Sequence, residues 1–379
     1  MKDLTSSVYT FSDLIQGNFL YVDKTEYIWQ LIRPAKGQYF LSRPRRFGKS
    51  LTVSTLEAVF QGQKELFKGL ALYDKPYDWK QYPIIHLDFA NCGAKSPEEL
   101  TTYLLNQLKE IAQRFQLALR FKQLSSCFEA LINDIAQTQQ VVILIDEYDK
   151  PILGNVGNSH INEILQVLKN FFSNIKKTEH LQRFVFMTGV SKFSHVSAFS
   201  DLNNLTDITM NATYAGMLGY TQEELEHYFG DRIDSVAQEQ NLSKVNFLKK
   251  LKEHYNGYRF EETAVTVYNP VSIASFFNNN GKFNNYWFKT GTPTFLLELM
   301  KKSNFNYVET LTEPVSEAFF DSFEISNLKP KTLLYQTGYL TIDKCVQAKV
   351  PYTDHTITEY YLHFPNREVE RSFNEQLLE

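Results

Sequence analysis

Cysteine is nearly absent: Cys92, Cys127 and Cys345 stand far apart in 379 residues, with no C-x-x-C pair among them. A disulfide framework and a zinc site of paired thiolates are therefore unsupported, and a reducing compartment fits best. Glycine and proline are also sparse, at 16 and 12 residues, which argues against collagen-like and low-complexity chains. No run of about 18 uncharged apolar residues occurs, and Met1 to Thr10 lacks an apolar signal core, so neither a membrane span nor an export signal is expected. The expected location is the cytoplasm. Charge of one sign is missing too: 39 Lys and Arg stand against 43 Asp and Glu, a net −4. That excludes a wholesale basic surface but leaves room for a local basic site. The eight histidines show no metal-ligand spacing, and no Gly-x-Ser-x-Gly, His-Glu-x-x-His or Rossmann glycine fingerprint appears.

What is present is a folding composition, 43% hydrophobic and 15% aromatic, with 30 Phe and 22 Tyr to fill cores. At this length two or three domains are expected. Short apolar runs at 38–41, 83–89, 141–145 and 184–189 read as buried strands, and helical spacing follows them at 49–60, 100–115 and 161–175. Alternation of buried strands and helices predicts an α/β fold with a mostly parallel sheet covered on both faces, over residues 1–210. Thr221-x-x-Glu224 is a capping-box signature opening a helical module, read as 211–282. Residues 283–379 mix helices with Tyr/Thr-rich strands and read as a small third module.

The informative stretch is Ser42-Arg-Pro-Arg-Arg-Phe-Gly-Lys-Ser50, between a strand and a helix. In the P-loop pattern G-x-x-x-x-G-K-[ST], backbone N–H groups and a helix N-terminus hold phosphates, Lys reaches the β/γ-phosphates and the hydroxyl binds Mg²⁺. Gly48-Lys49-Ser50 supplies the second half, while Arg43 stands where the first Gly would be. Arg45, Arg46, Phe47, Gly48, Lys49, Ser50 and Leu51 are the expected nucleotide-contacting residues, with arginines adding charge-assisted bonds to phosphate oxygens. A solvated basic turn is the plain alternative. The partner motif is Val141-Val-Ile-Leu-Ile145 followed by Asp146 and Glu147. Period two sends the two carboxylates to different sides at the carboxyl edge, where open α/β sheets bind ligands. Asp146 is expected to hold Mg²⁺ with Ser50, and Glu147 to activate water.

Secondary candidates were weighed against simpler roles. Thr188, before Gly189-Val-Ser-Lys192, reads either as a polar sensor of the γ-phosphate or as ordinary strand-end chemistry. Asp88 reads as part of a neighbouring strand. Asp23 and Lys24 read as a domain joint or a turn, and Arg259 as a lid arginine or, more simply, part of the packing of Tyr255, Tyr258 and Phe260. Arg367 is a similar case. Arg114, Arg120 and Lys122, with Phe115 and Phe121 between them, read as an exposed helix face rather than a nucleic-acid contact.

Several motifs together resemble the predicted AAA-ATPase-like proteins of bacteria and archaea: Tyr21-Val-Asp-Lys-Thr25, Ser42 to Ser50, Leu144-Ile-Asp-Glu-Tyr-Asp149 with Pro151, and Thr188-Gly-Val-Ser-Lys-Phe193. Tyr255-Asn-Gly-Tyr-Arg-Phe260, Tyr268-Asn-Pro270, Tyr286-Trp287 with Thr290-Gly291, Gln336-Thr-Gly-Tyr-Leu340 and Pro365-Asn-Arg-Glu-Val369 continue it in order. The family shares the Arg-Pro-Arg-Arg loop. The resemblance implies a P-loop ATPase core, a helical lid and a winged-helix-like region. Many members continue into a nuclease domain with an Asp…Glu-x-Lys signature. No strand with Glu-x-Lys follows Glu368 here, so either the chain is truncated or this member lacks the nuclease, and DNA cleavage is not carried over. The combined expectation is a Mg²⁺-dependent ATPase whose nucleotide state moves the lid and C-terminal modules, with Lys49, Glu147 and Thr188 as catalytic residues. The alternatives are a nucleotide-gated scaffold with little hydrolysis, or a nucleic-acid-associated binding module. A protein partner and a homo-oligomer stay open.

Overall fold

The computed structural model describes residues 1–193, 204–287, 307–320, 329–349 and 355–378. Thr290-Gly291 lies outside the described residues.

Five strands form one sheet: β1 (Gly37–Ser42), β2 (Ile84–Asp88), β3 (Val141–Asp146), β4 (Gln182–Gly189) and β5 (Thr206–Asp207), in the order β2-β3-β4-β1-β5. Every pairing is parallel. β3 and β4 are buried at every residue. Because successive side chains point to opposite faces, helices must cover both sides of these strands, as the apolar runs predict. The helix Pro97–Arg114 shows how the sequence builds one: Ser96 accepts the Glu99 N–H, Pro97 fills the first turn, and Leu100, Leu104, Leu108 and Ile111 form its buried stripe.

The expected helix face around Arg120 is not there. The helix ends at Arg114, Gln116 adopts φ 56°, and Arg120 and Lys122 lie in a loop where Arg120 pairs with Asp134. A helix that the residue pattern did not disclose, Leu124–Ile135, follows instead and buries Cys127, Phe128, Leu131 and Ile132. Phe128 stacks on Phe171 of the helix Ile161–Lys177 at 4.4 Å between ring centroids.

Helices Gln222–Glu239, Lys244–Tyr255 and Pro270–Asn278 share a second apolar cluster that includes Leu225, Phe229, Ile233, Phe247, Leu251 and Phe276. The capping box of Thr221 and Glu224 forms as read. Glu224 does more than cap. Lys24 Nζ lies 2.6 Å from its carboxylate and donates to the Gly216 carbonyl at 2.8 Å, while Asp23 accepts from Thr25 and, at 2.7 Å, from the Ala71 N–H. The Asp23-Lys24 pair is thus a joint between the N-terminal segment and the helical module.

Beyond these helices, β6 (Val315–Ser316), β7 (Thr341–Lys349) and β8 (Thr356–His363) form an antiparallel sheet in the order β6-β8-β7. The helix Pro330–Thr337 precedes it and the helix Arg367–Leu378 follows. Leu333, Leu334 and Ile342 join the apolar cluster of the five-stranded sheet, so the C-terminal sheet packs directly on the first module.

Glu368 is fully buried at the start of the last helix, accepting from the Ser272 hydroxyl at 2.7 Å and the Trp287 N–H at 2.8 Å. Burial pushes its carboxyl up to about 7, against the pull of those donors. A folded-state value raised above the unfolded one means that the native chain holds the extra proton. The stabilisation is full below about pH 4.5 and lost as pH rises through about 7. Glu368→Gln, which cannot ionise, should gain melting temperature relative to wild type between pH 5 and pH 8, by the equivalent of roughly 3 kcal/mol at most. Thermal melts of both proteins across that range check it; a constant difference would refute it.

Candidate nucleotide-binding site

The strand order places β4 between β1 and β3, so the loop after β1 and the acidic end of β3 meet across the end of β4. From Ser42 the chain turns through residues 43–48 and enters the helix Lys49–Phe60. Gly48 sits at φ 95°, where an added Cβ would meet nothing within 4 Å, so the glycine is needed for its backbone conformation alone. Arg46 is a second left-handed residue, at φ 68°. Lys49 Nζ turns back and donates to the carbonyls of Arg43 and Pro44, both at 3.0 Å. It is buried, which pushes its pKa down, while Glu147, Asp146 and Asp149 pull it back up. Residues nearly a hundred positions apart therefore share one electrostatic site.

Ser50, the next residue, lies beside Asp146. Burial raises the Asp146 carboxyl, and the nearby Ser50 hydroxyl and Lys49 oppose the shift. Glu147 takes φ 50°, uncommon for a side-chain-bearing residue, and its N–H donates to Asp146 Oδ1 at 2.9 Å. Its carboxylate lies 3.9 Å from Lys150 Nζ, and the side chain is 30% exposed where Asp146 is buried. The two carboxylates differ in exposure, but Glu147 lies just past the end of β3, and its left-handed backbone rather than the strand period sets where it faces. Backbone strain of about 1–3 kcal/mol at such a turn marks a place the surrounding structure overdetermines.

Asp149, in the sequence only one member of a motif, ties the site together. It stands at the start of a short helix without capping it; its carboxylate instead accepts the N–H groups of Val190, at 3.0 Å, and Ser191, at 2.7 Å. A Cβ on Gly189 would come within 2.4 Å of Asp149 Oδ1, so only glycine allows this approach. The clue in the sequence is an acid two residues past the Asp-Glu pair, in a segment too apolar to leave it solvated. Thr188 Oγ1 donates to the Leu41 carbonyl at 2.8 Å, bonding β4 to β1 beside the loop. Asp88 pairs in register with Asp146, but it is exposed and its carboxylate accepts the Ala90 N–H.

The arginines part company. Arg43 points away from Lys49: buried, it donates to the carbonyls of Ser42, Thr209 and Tyr214, at 2.8, 2.7 and 3.3 Å, and lies 4.3 Å over the Phe260 ring. Burial brings its pKa down to about 10. Arg46 donates to the Tyr9 hydroxyl at 2.9 Å. Phe47 is buried edge-on against Tyr258 and Phe260, with centroids at 4.8 and 5.2 Å, so only its backbone faces the loop interior. Leu51 is partly buried against the same core. Arg259 bonds the Asp343 carbonyl at 2.6 Å, on β7, and Arg367 pairs with Glu253 at 3.0 Å.

Distal motifs converge on the loop. The Arg45 carbonyl accepts from Asn269 Nδ2 at 3.5 Å and from Trp287 Nε1 at 3.4 Å. Gly338 lies so close to Pro44 that a Cβ would fall 2.7 Å from it, and Gln336 accepts the Lys192 N–H at 3.1 Å. Gly257, at φ 117°, abuts the Pro365 carbonyl. Asn269, Trp287 and Gly338 thus brace the loop directly, while Gln336 holds Lys192 and Gly257 packs on Pro365.

A model of the predicted AAA-ATPase family matches residues 6–199, which carry β1 to β4 and the loop. Over 383 aligned positions the chain is 35% identical to an uncharacterized protein in the vnfD 5′ region of Azotobacter chroococcum mcd 1, covering 100% of this chain and 70% of that protein. The chain belongs to the predicted AAA-ATPase family. Among solved structures, the Aeropyrum pernix ORC2 protein, in ADPNP and ADP complexes, aligns over 97% of this chain and 94% of its own at 10% identity. Its TM-score is 0.28, and so loose a superposition says nothing of this chain's chemistry.

Within this AAA-ATPase-like core, Mg²⁺ can be tested against the donors. Among the described residues no cluster of three His, Cys, Asp or Glu forms a protein cage. A hydroxyl beside one carboxylate, Ser50 near Asp146, is the sparse oxygen set suited to Mg²⁺ held jointly with phosphates. The residues fit the ion. No helix among the described residues is long and apolar enough to cross a membrane.

Proposed function

We propose that this predicted AAA-ATPase binds Mg²⁺-ATP at the loop after β1 and hydrolyses it. The observation that carries the reading is the convergence of Lys49, Ser50 and Asp146 at one edge of a parallel sheet. On binding, Lys49 exchanges the Arg43 and Pro44 carbonyls for β/γ-phosphate oxygens. Backbone N–H groups from Arg45 to Leu51, at the start of a twelve-residue helix, surround the phosphates, and the Arg45 and Arg46 side chains add charge. Ser50 and Asp146 would hold Mg²⁺, and the ion would supply positive charge opposite the phosphates. Glu147, partly exposed beside Asp146, orients a water and takes its proton. Thr188 lies between these groups and keeps β4 in place against β1.

The same reading assigns a core over 1–210, a lid over 211–282 and a C-terminal module over 283–379. The nucleotide state reaches the latter two through Phe47, packed on Tyr258 and Phe260, and through the Arg45 carbonyl. Phosphate release measured with Mg²⁺-ATP, beside melting curves with and without nucleotide, separates hydrolysis from a gated scaffold. Turnover that depends on Mg²⁺ is the expected result. A raised melting temperature with phosphate release at background would leave only the scaffold.

A further inference from the structure

The phosphate loop is held from behind by two contacts on a single atom. Asn269 Nδ2 and Trp287 Nε1 both reach the Arg45 carbonyl, at 3.5 and 3.4 Å. Each contact is long, so its geometry depends on what fixes the donor. Asn269 caps the helix Pro270–Asn278 by accepting from Val271 and Ser272. Ser272 in turn donates to Glu368 Oε2 at 2.7 Å, and the Trp287 N–H donates to Glu368 Oε1 at 2.8 Å. A single buried carboxylate therefore grips both elements that hold the Arg45 carbonyl, about 320 residues downstream of it. Among the described residues no Lys or Arg is paired with Glu368, so the carboxylate holds its place through neutral donors rather than an ion pair. That is a costly arrangement for a group that only fills a core.

Resting on the nucleotide-binding reading above, we propose that Glu368 is a positioning residue for the phosphate loop, clasping Ser272 and Trp287 so that Asn269 and Trp287 hold the Arg45 carbonyl outward. A peptide whose carbonyl is held outward turns the following N–H, that of Arg46, toward the loop interior, where phosphate oxygens bind. Loss of the clasp frees that peptide to rotate. The clasp also gives the last helix a direct mechanical line to the nucleotide.

The test is equilibrium binding of Mg²⁺-ATP to the full chain and its variants, with folding confirmed by circular dichroism. Glu368→Ala should weaken binding at least about fivefold. Glu368→Gln, whose amide accepts from Trp287 and donates to Ser272, should restore affinity to within about twofold. Trp287→Phe keeps the backbone bond to Glu368 and removes the Nε1 donor together with part of the ring packed on Tyr339; it should weaken binding by a smaller factor, and little further in a Glu368→Ala background. Should Glu368→Ala fail to fold, Trp287→Phe decides, with wild-type affinity overturning the clasp. Folded Glu368→Ala with wild-type affinity overturns it equally. If the wild-type chain itself binds no nucleotide, the site reading falls and the clasp with it.

Discussion

Lys49→Ala is expected to weaken Mg²⁺-ATP binding by at least about a hundredfold, because its buried ammonium is placed to meet the phosphates inside the loop. The substitution should also cost some stability, because Lys49 donates to two carbonyls of buried loop residues that lose this donor when the amine is gone. Fluorescent nucleotide titration reads the affinity, and circular dichroism shows whether the chain stays folded. Retained affinity in a folded Lys49→Ala protein would mean that the phosphates bind elsewhere.

Glu147→Gln is expected to do the opposite: affinity near wild type, with phosphate release reduced at least about a hundredfold. Glutamine is isosteric and keeps the backbone at φ 50° no worse than glutamate does, but it cannot accept a proton from water. The contact it loses, a 3.9 Å approach to the half-exposed Lys150, contributes little to stability. Single-turnover hydrolysis with saturating Mg²⁺-ATP is the measurement. Equal rates for Glu147→Gln and wild type would remove Glu147 from the chemistry.

Much of this site is legible along the chain because it uses local patterns. A buried apolar strand ending in Asp146-Glu147, and Gly48-Lys49-Ser50 where a strand meets a helix, declare themselves by periodicity and position. The parallel sheet follows from the same alternation. What stays hidden depends on contacts between distant segments. Nothing near Arg43 says that it turns from the phosphates to the carbonyls of Thr209 and Tyr214. Glu368 reads as one more acid at a helix start until Ser272 and Trp287 appear beside it. Asp149 reads only as part of a motif, and its partners, the Val190 and Ser191 N–H groups just past β4, lie about 40 residues on. The helix Leu124–Ile135 is masked along the chain by the basic residues before it, Arg120 and Lys122, which read as an exposed face. Asp23 and Lys24 allowed two readings, and the partner that decides between them, Glu224, lies 200 residues away.

The account depends on Lys49, Ser50 and Asp146 forming one triphosphate site. Calorimetric titration of wild-type protein with ATP, with Mg²⁺ present and with Mg²⁺ chelated, tests this most directly. Saturable one-to-one binding that tightens with Mg²⁺ and is lost in Lys49→Ala is the predicted result. Absence of heat at any nucleotide concentration, from protein shown to be folded, would contradict it.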